Sequence, residues 1–249
     1  MIDVEVSWFA RGLEDSSADA YVVIDVLRFS TTVAAALASG FKEVYVFSEL
    51  SRAAAFARES KALLAAEVEG AKPAEADLDN SPTAIIDYAR KHGVGNGKLV
   101  VRTTAGASIV SEAIGLGLKN VFIGSLVNAR FVAEALGELR PSSISMVCAG
   151  FRRTKFAIED FLGAGAIICE LADIADVNLL DEAIAALHAY LSLRNDLLGA
   201  IKSGRSGRFL CGTGRGEDVV FASKVNTVNA VPFLDKHVVR EFHRSSLVK

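Results

Sequence analysis

The sequence predicts a three-layer α/β/α fold around a mainly parallel central sheet. Two patterns carry that expectation. Short runs rich in β-branched and aromatic residues alternate with longer, alanine-rich runs, and several of the short runs are apolar at almost every position. A strand that is apolar on both faces must be covered on both, and the helices that connect parallel strands provide that cover.

The elements follow one another along the chain. Tyr21 to Val26 reads as the first strand, near-continuously apolar up to Asp25, and Ser30 to Ala38 as the helix after it. The next strand and helix are Glu43 to Phe47 and Leu50 to Glu59. Ala62 to Val68 precedes a long polar loop, and Ser81-Pro82 then opens a helix over Thr83 to His92. Lys98 to Thr103 and Asn120 to Ser125 are strands, with helices Ala107 to Leu116 and Leu126 to Leu136 behind them. Ser143 to Cys148 is the last strand, ahead of a helix over Ala157 to Glu170. Beyond residue 178 the pattern changes to a long amphipathic helix, Leu179 to Leu198, and then a basic, flexible loop from Lys202 to Arg208. This last part is expected to pack on the same sheet. No fixed-period repeat or low-complexity linker divides the chain, so residues 1–249 are expected to form one domain.

Composition narrows the function. A formal net charge of −3 gives no bulk attraction for nucleic acid or anionic lipid, so anion binding has to come from a local site. No stretch of about 18 uncharged apolar residues is present, and Met1-Ile2-Asp3-Val4 does not open like a secretory leader. The three cysteines, Cys148, Cys169 and Cys211, do not suit a disulfide framework, and a reducing cytoplasmic setting is expected.

In parallel sheets ligands bind beyond the carboxyl ends of the strands, where helix N-termini supply free N–H groups. Polar residues gather at those ends. Asp25 closes the first strand, with Arg28, Ser30 and Thr31 just beyond it; oxygen ligands there suit a hard cation and helix-start N–H groups suit a phosphate. The competing account is that Ser30 caps the helix and Asp25 pairs with Arg28. The loop from Glu67 to Pro82 carries five acids, Lys72, and Asn80-Ser81-Pro82, with Lys72 and Asn80 as its ligand candidates. Thr103, Thr104 and Gly106 turn from strand to helix, where backbone N–H groups can approach an oxyanion. Arg152 and Arg153 follow Cys148-Ala149-Gly150 and precede the adjacent acids Glu159 and Asp160, so cations could clamp an anionic group.

Several familiar chemistries are absent from the sequence. Four residues separate Cys148 from Arg153, one fewer than a cysteine-phosphatase loop needs, so Cys148 reads as a small buried hydrophobe. The histidines at 92, 188, 237 and 243 have no zinc spacing, and there is no nucleophile elbow or Walker loop.

Taken together and in order, these segments resemble the 2-phosphosulfolactate phosphatase family over about residues 20 to 232. The matching blocks are Val23-Ile24-Asp25-Val26-Leu27-Arg28 with Ser30-Thr31-Thr32; the Glu67 loop ending in Asn80-Ser81-Pro82; Thr103-Thr104 with Gly106; Cys148-Ala149-Gly150 with Glu159-Asp160; and Gly216-Glu217-Asp218-Val219 with Val231-Pro232. The resemblance implies a magnesium-dependent phosphatase of coenzyme M biosynthesis acting on a small anionic phosphomonoester. It implies Asp25, Glu67 and Asp160 as acids for Mg2+ or for positioning water, and Arg28, Lys72, Asn80, Ser81 and Thr104 as anion contacts. A homo-oligomer is an expectation that rests only on the base rate for such enzymes. The chain departs from the family pattern in three places. Val68-Glu69-Gly70 stands for Arg-Gly-Gly, Asp79 for a glycine, and Ala105 and Ala107 for Asn and Thr. Two other readings stay open: an isochorismatase-like hydrolase with Cys148 as nucleophile, and a relative that binds a phosphorylated or sulfonated metabolite without turnover.

Overall fold

A computed structural model of the chain describes residues 1–14 and 16–243. The chain enters through β1 (Ile2–Trp8), the single-turn α1 (Arg11–Glu14), β2 (Ala20–Ile24), α2 (Phe29–Ala38), β3 (Glu43–Phe47) and α3 (Leu50–Ser60). It continues through β4 (Leu63–Ala66), the short β5 (Leu78–Asp79), α4 (Pro82–His92), β6 (Lys98–Arg102), α5 (Ala105–Gly115), β7 (Val121–Gly124) and α6 (Ala129–Leu139). Then come β8 (Ser143–Cys148), α7 (Ile158–Ala172), β9 (Val177–Leu179), α8 (Asp181–Leu193), α9 (Leu197–Ser203), α10 (Arg205–Gly212) and α11 (Gly216–Ala222). The hairpin β10 (Pro232–Asp235) and β11 (Val238–Glu241) completes the described chain.

All of these strands join one sheet, in the order β5-β4-β6-β3-β11-β10-β7-β2-β8-β1-β9. The hairpin runs antiparallel to β7 and β3 on either side of it. Every other neighbouring pair is parallel. The layering follows from the two-residue period of a strand. Along β2, Val22 and Ile24 enter one core with residues of α6, α7 and α8, while Tyr21 and Val23 enter the opposite core with residues of α2 and α5. β6 divides the same way, with Leu99 and Val101 on the α2 and α5 side and Val100 against α3. No described helix is long and apolar enough to cross a membrane.

Expectation and structure part mainly at the ends of the chain. The N-terminal segment is a strand paired on both sides, by β8 and β9. The continuous helix expected from Leu179 to Leu198 is broken. Leu179 pairs with β1, the Leu180 N–H donates to the Val4 carbonyl, and α8 ends at Leu193. A 3-10 turn over Arg194–Asp196 follows, and Asp196 caps α9 by accepting the Gly199 N–H at 3.0 Å. The expected loop from Lys202 to Arg208 is the end of α9 and the start of α10, separated by extended Gly204. α6 begins later than expected because Ser125 and Asn128 form a capping box around a 3-10 turn.

Candidate active site

A cleft of about 370 Å³ opens at the carboxyl ends of β2, β4, β6 and β8, with α10 along one wall. From the parallel strands come Asp25, Glu67, Thr103, Thr104 and Gly150, and from the turns and helices Glu69, Asn80, Arg152, Arg153, Glu159, Asp160, Ser206 and Phe209. The cleft therefore draws residues from both parallel halves of the sheet.

Asp25 is buried where β2 ends. Its Oδ2 accepts the Gly106 N–H at 2.8 Å, and its own N–H donates to Ser30 Oγ at 2.9 Å. Burial, opposed by the N–H groups of Gly106 and Phe29 and reinforced by the nearby charges of Glu159 and Glu67, pushes its carboxyl up to about 7. Asp160 is held on both oxygens, Oδ1 by the Val26 N–H and Oδ2 by the Gly150 N–H, each at 2.8 Å. It thus ties the loop after β2 to the loop after β8. Burial, then Glu159 and Asp25, raise its carboxyl well above the usual range. Glu159 is 1% exposed, and its Oε2 has no hydrogen-bond partner. Burial raises its carboxyl too, against a hydrogen bond from Ser206.

The arginines divide into two groups. Arg28 donates to both oxygens of Asp79 at 3.1 and 3.2 Å and to Asp218 Oδ2 at 3.0 Å. Arg215 joins through Nε to Asp79 Oδ2 at 2.7 Å. Asp218 Oδ1 accepts from Ser81 Oγ and Thr83 Oγ1. Arg152 and Arg153 have no carboxylate partner among the described residues. They stand at φ +53° and +61° in the turn closed by Phe151 and Lys155, with the Arg152 guanidinium 5.4 Å from the Phe151 ring centre.

Five of the residues expected to contact the anion are used elsewhere. Ser30 Oγ accepts from Asp25 and donates to Val23; Thr31 Oγ1 donates to the Val26 carbonyl and lies 3.0 Å from Ser125 Oγ. Lys72 Nζ donates to the Ala76 carbonyl at 2.7 Å, and Ser81 caps α4 while donating to Asp218. The Gly106 N–H is consumed by Asp25, and the Phe29 ring fills the space a Cβ would take there. Arg28 does line the cleft, but its hydrogen bonds go to Asp79 and Asp218, so it is no free anion clamp, and Asp25 is not its partner. Glu67 also lines the cleft; its Oε2 accepts the Gly70 N–H at 2.8 Å and Arg102 bonds its carbonyl, so its first role is to hold that turn. Asn80, Thr103, Thr104 and Arg152 reach the cleft, and the Asn80 Oδ1 has no hydrogen-bond partner. Cys148 is fully buried, does not line the cleft, and burial pushes its thiol well up, so it is no nucleophile here.

Glu159, Glu69 and Ser206 are not among the site residues the sequence points to, whereas Arg153 is, beside Arg152, as a candidate clamp. Glu159 had a signal, since it stands beside Asp160 at a helix start. Ser206 had none, because its position depends on the fold of α10. Among the described residues no three acids, histidines or cysteines form a complete metal cage. Magnesium takes one or two carboxylates and completes its shell with water and substrate oxygens. The hard oxygens of Asp25 and Glu159, the latter with an unpartnered Oε2, fit that pattern.

A three-layer α/β sheet with buried carboxylates and unpaired guanidinium groups at its carboxyl rim defines a class of enzymes that act on small anionic substrates. Within that class the family is specific. A family model described as 2-phosphosulpholactate phosphatase matches residues 10–237, and this chain belongs to that family. It is 31% identical to a probable 2-phosphosulfolactate phosphatase of Carboxydothermus hydrogenoformans, over 92% of each chain. It is 32% identical to the 2-phosphosulfolactate phosphatase of Methanocaldococcus jannaschii, over 86% of this chain and 88% of that one. A probable 2-phosphosulfolactate phosphatase of Thermus thermophilus is 31% identical over 87% and 88%.

Proposed function

We propose that this chain hydrolyses a small phosphomonoester with magnesium as cofactor, and that 2-phosphosulfolactate, the ester in its relatives' names, is the substrate to test first. The observation that carries the reading is a single cleft in which the unpaired Arg152 and Arg153 face the same space as buried Asp25 and Glu159. Arg152 and Arg153 bind the phosphoryl dianion, and the Thr103 and Thr104 hydroxyls donate to its oxygens. Asp25 and Glu159 would hold the magnesium ion, which when bound supplies the positive charge that offsets charge on the phosphoryl group. Asp160 and Glu67 fix the loops that carry these groups. Phe209 and Leu210 cover the cleft from α10 and limit water around the reacting ester.

The test is phosphate release from 2-phosphosulfolactate, with and without magnesium. Asp25→Asn is expected to lower kcat/KM by about a hundredfold or more, equivalent to ~2.7 kcal/mol of transition-state stabilisation. Cys148→Ser is expected to retain turnover. Loss of activity in Cys148→Ser alone would revive the thiol mechanism, and no release from any phosphomonoester would favour a binding protein.

A further inference from the structure

We propose that Glu69 is a specificity-determining residue, whose unpaired carboxylate disfavours esters that carry anionic groups beyond the phosphoryl. The inference rests on the phosphomonoesterase reading above and concerns which esters that cleft prefers.

Glu69 lines the cleft and stands at φ +50°, at the tip of a turn closed by two hydrogen bonds between Val68 and Ala71, at 2.8 and 3.0 Å. Left-handed backbone is uncommon for a residue with a Cβ, and such residues collect at ligand sites. The turn is held from three sides. Glu67 Oε2 takes the Gly70 N–H, Arg102 bonds the Glu67 carbonyl, and the Phe209 ring occupies the space beside Gly70, 2.5 Å from where a Cβ would sit. The backbone that carries Glu69 is therefore held before any ligand arrives, and its exposed side chain extends from that held turn.

Among the described residues no cation pairs with Glu69, and three arginines are engaged elsewhere. Arg28 and Arg215 are bonded to Asp79 and Asp218, and Arg102 to Glu67 and the Ser48 carbonyl. Arg152 and Arg153 belong to the separate turn after β8. The cleft thus offers free positive charge on one turn and a free carboxylate on another. One dianionic phosphoryl group suits that layout; further carboxylate or sulfonate groups meet Glu69. Like charges placed together discriminate by repulsion even where they add nothing to the preferred ligand.

The experiment compares two esters of similar size with phosphate on the central carbon: 2-phosphosulfolactate, with two further anionic groups, and glycerol 2-phosphate, with none. The ratio of kcat/KM for the first over the second is measured with magnesium for native protein, Glu69→Gln and Glu69→Gly, the glycine suiting the positive φ. Calorimetric affinities for both esters are measured without magnesium. Each variant is expected to raise the ratio about tenfold, and the gain should shrink in high salt, which screens an accessible charge. A ratio that moves less than about twofold in both variants, with turnover intact, overturns the role of Glu69 and leaves the phosphatase reading standing. No turnover of either ester, with the affinity ratio still shifting tenfold, removes the phosphatase reading and keeps Glu69 as the selector. No binding of either ester by native protein removes both.

Discussion

At Asp25 the fold holds a carboxyl where charge is unfavourable, and its effect on stability has a definite sign. The carboxyl titrates at about 7 in the folded protein against an ordinary value of 3.8. Below the ordinary value it is protonated in both states, so its contribution is fully present. As pH rises toward 7 the unfolded chain releases the proton while the folded one keeps it, and stability falls until the folded carboxyl also ionises. Metal-free protein should therefore melt at a lower temperature at pH 8 than at pH 5 on account of this group, and Asp25→Asn should raise the melting temperature at pH 8 more than at pH 5. Magnesium binds the ionised form, so its stabilising effect in thermal melts should be larger at pH 8; an equal shift at both values would place the ion elsewhere. The sequence made Asp25 visible because an acid ends an apolar strand. It did not distinguish Glu159 from Asp160, since neighbouring positions on a helix differ by about 100° and only the fold decides which faces the cleft. Asp160 meets two backbone N–H groups and Glu159 keeps a free oxygen. Asp160→Leu should thus cost roughly 2–5 kcal/mol of stability, measured by urea unfolding, because two buried donors lose their acceptor. Glu159→Gln should lower magnesium affinity with a smaller loss of stability.

Between elements, the cluster of Arg28, Asp79, Asp218 and Arg215 joins the start of α2, the end of β5 and the α10–α11 segment, while Ser81 and Thr83 bring in the start of α4. Arg28 and Asp218 are almost wholly buried, so the pair stabilises mainly by leaving no charge alone. Asp218→Ala should lose about 3–5 kcal/mol, and Arg28→Met added to it should recover part of that loss, because the second change removes the orphaned guanidinium. Equilibrium unfolding of the two single variants and the double variant checks this; strict additivity would show that the two side chains act independently. None of these partnerships was legible. The four residues are spread from 28 to 218, and single residues such as Arg28 looked like ligand contacts because their internal partners are remote in sequence. The helices after residue 178 differ from the single helix expected there for a related reason. Leucines recur from Leu179 to Leu198 as in one amphipathic helix, but Leu179 belongs to an edge strand and Asp196 starts a new helix by capping.

In the whole molecule, the parallel strands form two blocks, β5-β4-β6-β3 and β7-β2-β8-β1-β9, and the β10–β11 hairpin is the sheet's link between them. The parallel alternation was legible from apolar runs and helical spacing, whereas the hairpin was not, being two strands of four residues each that pair with elements more than a hundred residues upstream. Its backbone registers with each block at one residue pair, Phe233 with Phe122 and Val239 with Val44, so side chains carry much of the joint. On one face Phe122, Phe233 and Phe242 stand 5.1 to 5.4 Å apart between ring centres. On the other, Leu234, Val239 and Val44 are buried in a single cluster. The cleft takes Asp25, Gly150 and Glu159 from one block and Glu67, Thr103 and Thr104 from the other, so its geometry depends on this joint although no hairpin residue lines it. Phe122→Ala should cost roughly 3–5 kcal/mol, the value for emptying a buried aromatic site. Its effect on the cleft should exceed that of an equally destabilising change within one block, such as Ile168→Ala in α7. Magnesium-dependent kcat/KM, compared between the two variants well below their melting temperatures, checks this. A loss confined to Phe122→Ala would show that the hairpin sets the distance between the two sets of active-site groups; equal retention in both would mean that the helices alone hold the blocks in register.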